Sequence, residues 1–277
     1  MNDILRETLH EGRSAGQYWV VIPAFNEAHA VRDVALRARQ QCPHVIVVDD
    51  GSTDGTDKVL AGLDVTVLRN EGNLGKAGSL WKGFQYALAK GADGVITLDA
   101  DGQHAPEEIL LFIEQALDDP GAFLIGARRR DQRKTSFWRY GANRVADFWI
   151  GWAAGAPIED SQSGFRLYPA TLLRAIDVPC ERSRSFVFES EMLIEAARRG
   201  FVIQNVPVTV MPRSGPRPSH FRPLLDIARI TRMVAGKLLS RGLYLKGLHR
   251  SLRGSMKPGA EDRVNSKPTR ALSKTRD

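Results

Sequence analysis

The sequence predicts an α/β protein built on a mostly parallel sheet with helices on both faces. Three observations carry this. Apolar, β-branched runs recur through the first half of the chain, amphipathic segments separate them, and acidic or polar clusters stand where the runs end. In order, "YWVVIP" (18–23) reads as a first buried strand and 26–41 as a helix with apolar spacing. "HVIVVDD" (44–50) is the second strand, and the polar turn "DGSTDGT" leads into a short helix over 57–63. "VTVLRN" (65–70) is the third strand, 76–91 a helix stopped by glycine, and "GVITLD" (94–99) the fourth strand. A helix opens at "APEE", with Pro106 in its first turn and Glu107 and Glu108 facing the positive helix end. "AFLIGAR" (122–128) is the fifth strand. The second half is less regular: a basic loop over 128–139, a helix near 140–154, the loop "IEDSQSGFRLYP", a helix near 188–200 ending at Gly200, and a late strand over 201–210. From 224 to about 252 an amphipathic helical pattern follows, with Gly242 and Gly247 expected to break it.

The totals bound the possibilities. A chain of 277 residues with 43% hydrophobic and 26% charged residues has ample material for one globular core. The two cysteines, Cys42 and Cys180, lie far apart and near no paired His, so neither a disulfide framework nor a zinc site is expected, and a cytoplasmic setting is. The N-terminus is acidic without a long apolar core, and no window offers the ~18 apolar residues of a spanning helix. The charge is asymmetric: residues 222–277 carry 14 Lys/Arg against 4 Asp/Glu, whereas 1–221 hold 25 basic against 28 acidic residues. Such a basic end suits a polyanion, either an anionic membrane or nucleic acid, or is simply a solvated tail.

The stretch "TLDADGQHAPEEI" (97–109) carries the chemistry. In an extended segment residues two apart point the same way, so Asp99 and Asp101, separated by Ala100, would present two carboxylates past a strand end. Carboxylates that close repel unless a cation or proton lies between them. Competing motifs do not fit. The sixth and twelfth positions of an EF-hand would be His104 and Leu110, not Gly and Glu. A P-loop at 71–78 would need Gly at Asn70 and Ser or Thr at Ala77. No GxGxxG follows the first strand, and no GxSxG elbow occurs.

Taken together, "VVIPAFNEA" (20–28), "VIVVDDGSTDGT" (45–56), "NLGKAGSLWKGF" (73–84), "LDADGQHAPEEI" (98–109), "IEDSQSGFRLYP" (158–169) and "FESEMLIEAARRGFVIQNVPV" (188–208) resemble the family 2 glycosyltransferases of the GT-A fold. "DADGQHxPE" with "DSQSGFR" looks most similar to the branch that glycosylates dolichyl and other polyprenyl phosphates. The resemblance implies Mg²⁺ or Mn²⁺ held by Asp99, Asp101 and Gln103 against the diphosphate of a GDP- or UDP-linked sugar. It implies a nucleoside wall of Pro23, Phe25 and Glu27, a nucleobase contact from Asp50 and Asp49, and donor contacts at Ala100. Lys76 would approach a phosphate, or be a solvated lysine at a helix start; His104 would touch the diphosphate or cap a turn. Arg128 and Arg139, with Ser136, match residues that grip a lipid phosphate. Asp160, Gln162, Ser163 and Arg166 would lie near the transferred sugar, with Arg166 alternatively a buried partner of a carboxylate. Of Glu189 and Glu191, two apart near a helix start, Glu191 is the one assigned to the sugar.

A polyprenyl phosphate is already anionic and needs no base, whereas a hydroxyl acceptor, in polysaccharide or glycolipid synthesis, needs a carboxylate such as Asp160 or Glu191. A nucleic-acid binder is not expected, because the strands are aliphatic and their ends acidic rather than basic and aromatic. The expected plan is an N-terminal extension (1–17), a catalytic domain (18–223), a basic amphipathic segment (224–253) that rests on an anionic membrane, and a disordered basic tail (254–277).

Overall fold

The architecture is that of a computed structural model, which describes residues 17–128, 137–176, 185–211 and 223–255. Strands β1 (Tyr18–Ala24), β2 (Val45–Asp49), β3 (Thr66–Arg69), β4 (Gly94–Thr97), β5 (Phe123–Arg128), β6 (Arg166–Pro169) and β7 (Ile203–Val208) form one sheet in the order β3-β2-β1-β4-β6-β5-β7. All pairings are parallel except those of β6, which runs antiparallel to both β4 and β5. The helices are α1 (Val31–Gln41), α2 (Thr56–Leu60), α3 (Gly75–Ala89), α4 (Ile109–Asp118), α5 (Phe137–Ala154), α6 (Ala170–Ala175), α7 (Ser185–Arg198), α8 (Pro223–Leu239) and α9 (Leu245–Ser255).

The alternation of side chains along each strand divides the core between two faces. Val20 and Ile22 of β1, Val45 and Val47 of β2 and Ile96 of β4 pack with Val34 and Ala38 of α1 and Phe112 and Ile113 of α4. Val21, Ile46, Val48 and Val95 pack on the opposite face with Leu80 and Phe84 of α3, Ile150 of α5 and Leu193 of α7. The sheet is thus covered on both sides, as the continuous apolar runs predict.

Three expectations are corrected here. The segment 158–169, expected as a loop, ends in β6, and α6 follows it; four residues of strand were hidden behind a polar approach and a closing proline. The apolar face of α8, expected on a membrane, is buried in the core: Ile230, Val234 and Leu238, at helical spacing, pack in the same cluster as α7. Each such burial contributes about 1.5–3 kcal/mol, so this helix is part of the globular body. Gly242 does lie in the break after α8, but Gly247 lies inside α9. A Cβ there would stand 2.9 Å from the Trp152 carbonyl and closer still to the Tyr244 ring, so Gly247 permits α9 to approach α5. The tail beyond 255 and the extension before 17 lie outside the described residues.

Arg166, expected near the transferred sugar, is fully buried in β6. Its guanidinium donates to the backbone carbonyls of Ser163 (2.8 Å), Ser161 (2.7 Å) and Glu189. It therefore ties the 161–163 loop and α7 to the sheet through three backbone carbonyls, with no carboxylate in the set. Arg166→Met is expected to lower unfolding free energy by about 3–5 kcal/mol, because three buried carbonyls lose their donors. Urea denaturation followed by circular dichroism measures this, and a change below about 1 kcal/mol would refute the role.

Candidate active site

The carboxyl ends of β1, β2 and β4 lie side by side, with Ala24 in register with Asp49 and Val21 with Thr97. This is where open α/β sheets bind ligands. The loops after β1 and β2 are stitched together by side-chain oxygens. The Asn26 amide donates to Ser52 Oγ (2.8 Å), Thr53 N to Asn26 Oδ1 (2.8 Å) and Glu27 N to Thr56 Oγ1 (3.0 Å). Asn26 takes the left-handed conformation, φ 58°, and this turn delays α1 to Val31. Pro23 lies next to last in β1 and Phe25 just beyond its end, both partly exposed, while Glu27 is buried with His29 Nε2 3.6 Å away.

Asp49 and Asp50 part company. Asp49 ends β2, takes the Ser52 amide on Oδ1 (2.9 Å) and has Arg69 Nη1 3.3 Å from Oδ2, which accepts no hydrogen bond of good geometry. Asp50 is buried and accepts from Leu74 N and Asn70 Nδ2 on one oxygen and from Gly75 N on the other, at 2.8–2.9 Å. It anchors the start of α3, with both oxygens accepting from protein donors.

The carboxylates of the central stretch are arranged differently from the extended pair expected. β4 ends at Thr97, and Ala100 and Asp101 occupy a turn completed by Gly102 at φ 75°. The two-residue parity of a strand therefore does not govern them. Ala100 is buried among core residues with Leu98, so its methyl group is no ligand contact. Asp101 Oδ1 accepts from the Gln103 amide (3.0 Å), and the Gln103 carbonyl accepts from Met211 N (2.9 Å). The counter-ion for Asp99 comes from the chain itself: Lys76 Nζ, from the first turn of α3, is 2.7 Å from Asp99 Oδ1 and 3.1 Å from Glu189 Oε2. His104, buried beside Phe165, places Nε2 3.7 Å from the other Asp99 oxygen. Burial works to raise the Asp99 pKa, but the Lys76 charge, and then His104, hold the carboxyl well below the usual carboxylate range. Burial likewise works against the Lys76 charge, and Asp99 with Glu189 more than restores it, holding the ammonium above its usual range. Gly164 backs this pair: a Cβ there would lie 2.3 Å from Asp99 Oδ2, so only glycine leaves the carboxylate its place.

On the far side of the sheet's end, Arg128 closes β5 and forms a two-pronged pair with buried Asp160, Nε to Oδ2 at 2.5 Å and Nη2 to Oδ1 at 2.8 Å. Burial works against the Arg128 charge, yet the Asp160 hydrogen bonds and charge leave its pKa raised. Ser161 donates from both its amide and hydroxyl to Asp147 Oδ1 of α5, at 2.8 and 2.7 Å. Gln162 is partly exposed beside it, whereas Ser163 is buried and accepts from Phe165 N. Arg139 lies in the first turn of α5, and Ser136 lies outside the described residues.

Glu191, assigned to the sugar, instead lies 3.1 Å from Lys237 of α8, which also binds Glu195. Residues two apart on a helix differ by about 200° in direction, so Glu189 is the one that faces the site. Of the pair, Glu189 and not Glu191 lies beside Lys76 and Asp99, and Gly164 and Asp147 join the site without a signal in the sequence. The helical phase of "FESE" was the available signal for Glu189; nothing local marks the other two.

Among the described residues no group of three or more His, Cys, Asp or Glu converges. The donor set at the turn, two carboxylates and a neutral amide oxygen from Asp99, Asp101 and Gln103, still fits a hard divalent ion that takes its remaining ligands from phosphate and water. Gly164, having no side chain, leaves room for the Asp99 carboxylate at the turn.

Comparison with known proteins agrees with this architecture. Residues 19–175 match the model of the glycosyl transferase family 2 domain. The chain is 31% identical over 205 residues to the polyprenol monophosphomannose synthase of Mycolicibacterium smegmatis, covering 70% of this chain and 77% of that protein. It is 31% identical over 205 residues to the undecaprenyl-phosphate mannosyltransferase of Micrococcus luteus, covering 70% and 83%. Among solved structures, glucosyl-3-phosphoglycerate synthase from Mycobacterium tuberculosis, in complex with Mn²⁺, UDP and phosphoglyceric acid, superposes with a TM-score of 0.62 at 21% identity, over 86% of this chain and 81% of that one. That likeness establishes the fold, GT-A. The chain belongs to the family 2 glycosyltransferases.

Proposed function

We propose that the protein transfers a sugar from a nucleotide diphosphate, GDP- or UDP-linked, to a polyprenyl phosphate. The observation that carries the choice of acceptor concerns bases. A hydroxyl acceptor needs a carboxylate to take its proton, but Asp160 is held by Arg128 and Glu191 by Lys237. A phosphate acceptor needs neither. The names of the two relatives, a polyprenol monophosphomannose synthase and an undecaprenyl-phosphate mannosyltransferase, support the same acceptor class.

In this scheme an acceptor phosphate oxygen attacks the anomeric carbon in line with the departing nucleotide. A bond from that oxygen to the carbon forms, the bond from the carbon to the diphosphate oxygen breaks, and the diphosphate keeps the electron pair, inverting the centre. Mg²⁺ or Mn²⁺, when bound, supplies charge neutralisation to the leaving diphosphate. Asp101, Asp99 and Gln103 would hold it. Pro23, Phe25 and Glu27 form the wall for the nucleoside, with Asp49 behind it. Arg128, fixed by Asp160, directs positive charge toward the incoming phosphate.

Asp101→Asn is expected to lower turnover by about 10²–10³-fold with unchanged circular dichroism and melting temperature. The assay follows labelled GDP- and UDP-sugars into lipid extract, where mild-acid-labile product is expected. A stable polymer or glycolipid product would overturn the acceptor, and full activity of the variant in chelator would overturn the metal role.

We also infer docking on an anionic membrane, through α5 and the α9 part of the 224–253 segment rather than through α8. On α5, Val145, Phe148 and Trp149 are exposed, and Trp149 stacks on Trp152 at 5.2 Å. Trp152 Nε1 donates to the Leu243 carbonyl (3.0 Å), which joins this cluster to the start of α9, where Leu243 and Leu245 are also exposed. Arg144, Lys246 and Arg250 stand exposed on the same two helices. Aromatic side chains with basic neighbours suit the interface of an anionic bilayer. No helix among the described residues is long and apolar enough to cross a membrane. Replacing Phe148 and Trp149 together by serine is expected to weaken sedimentation with phosphatidylglycerol vesicles by at least about tenfold. Undiminished sedimentation would reject this surface.

A further inference from the structure

We propose that Lys76 competes with the divalent cation for Asp99, so that metal binding depends on the nucleotide. The inference rests on the nucleotide-sugar reading of the site and concerns what the chain's own cation does there. Three observations carry it. Lys76 Nζ is 2.7 Å from Asp99 Oδ1, a direct ion pair with one of the carboxylates that would hold the metal. Asp99 is seated in the space that a side chain at Gly164 would fill, since a Cβ there would stand 2.3 Å from Oδ2 and 2.7 Å from Oδ1. Lys76 has a second, fixed partner: Glu189 Oε2 is 3.1 Å away, and the other oxygen of that largely buried carboxylate, Oε1, has no hydrogen-bond partner.

An ammonium and a divalent cation on one carboxylate repel strongly at this range. Lys76 therefore opposes metal binding by the free protein. A nucleotide diphosphate changes the balance by adding anionic oxygens for both cations. Lys76 can then leave Asp99 for a phosphate oxygen while Glu189 keeps it within reach, its vacant oxygen offering the ammonium an alternative acceptor. Glu189 is on this account a positioning residue, and Lys76 passes from guarding the metal position to binding the leaving group. The consequence is coupled binding, in which metal and nucleotide each strengthen the binding of the other.

The test is Mn²⁺ binding to the full chain, read as the loss of the free-ion signal in electron paramagnetic resonance, with and without UDP or GDP. The wild type is expected to bind Mn²⁺ at least about tenfold more tightly with its nucleotide than alone. Lys76→Met should bind Mn²⁺ alone at least about tenfold more tightly than the wild type does, and Lys76→Arg, which keeps the charge, should not. Equal or weaker Mn²⁺ affinity in a folded Lys76→Met protein overturns the proposal. Should that variant lose its cooperative melting, Glu189→Gln carries the test with the opposite sign. Its ammonium has only Asp99 to hold, so Mn²⁺ alone binds more weakly, and unchanged or tighter binding overturns the proposal. A wild type that binds no Mn²⁺ with either nucleotide would instead overturn the reading of the site on which this inference stands.

Discussion

Charge balance at the carboxyl ends of the parallel strands is the constraint on which the rest of this structure depends. A parallel sheet covered on both faces delivers its strand ends, with their aspartates, to one edge. Carboxylates gathered there are tolerable only if each meets a cation or a set of donors. The chain supplies these from different elements: Lys76 from α3 for Asp99, Arg128 from β5 for Asp160, and backbone amides at the start of α3 for Asp50. Each pairing also fixes a loop, so the same contacts that neutralise the edge shape it.

This division separates carboxylates that hold the fold from those proposed to meet ligand. Asp50 and Asp147 spend their oxygens on amides and hydroxyls within the protein. Asp99 and Asp101 sit in an open turn, where the one strong partner of Asp99 is a flexible lysine rather than a rigid backbone donor. A lysine can move away; a strand cannot. Chemistry that gathers negative charge as a nucleotide departs is best served by such exchangeable cations, and Arg128, gripped on two prongs by Asp160, is the fixed complement to it.

The second half of the chain serves the site by packing as much as by contact. α7 turns Glu189 toward Lys76 and Glu191 and Glu195 toward Lys237, so α8 is held by an ion-pair network as well as by Ile230, Val234 and Leu238. With α8 absorbed into the core, the apolar surface left open moves to the aromatic cluster of α5 and to α9. The surface proposed to meet a bilayer is therefore carried by two helices linked through Trp152 and Leu243.

The α/β class, the first five strands, the helices between them and the strand-end position of the acidic clusters are all legible along the chain. Those features follow from period, apolar runs and turn residues, which are local. The sequence also carried the family, because the motifs survive in order along the chain. What only the tertiary structure decided is which partner each polar group meets. β6 was hidden because its four residues acquire a strand's hydrogen bonds only from β4 and β5 on either side. The carbonyl partners of Arg166 and the amide partners of Asp50 come from distant segments and leave no local trace. Glu189 and Glu191 are told apart only by where α7 docks, and the apolar stripe of α8 faces protein because α7 lies beneath it. Partners far apart in sequence decide such roles, since the free energy of a buried charge is set by what surrounds it in space.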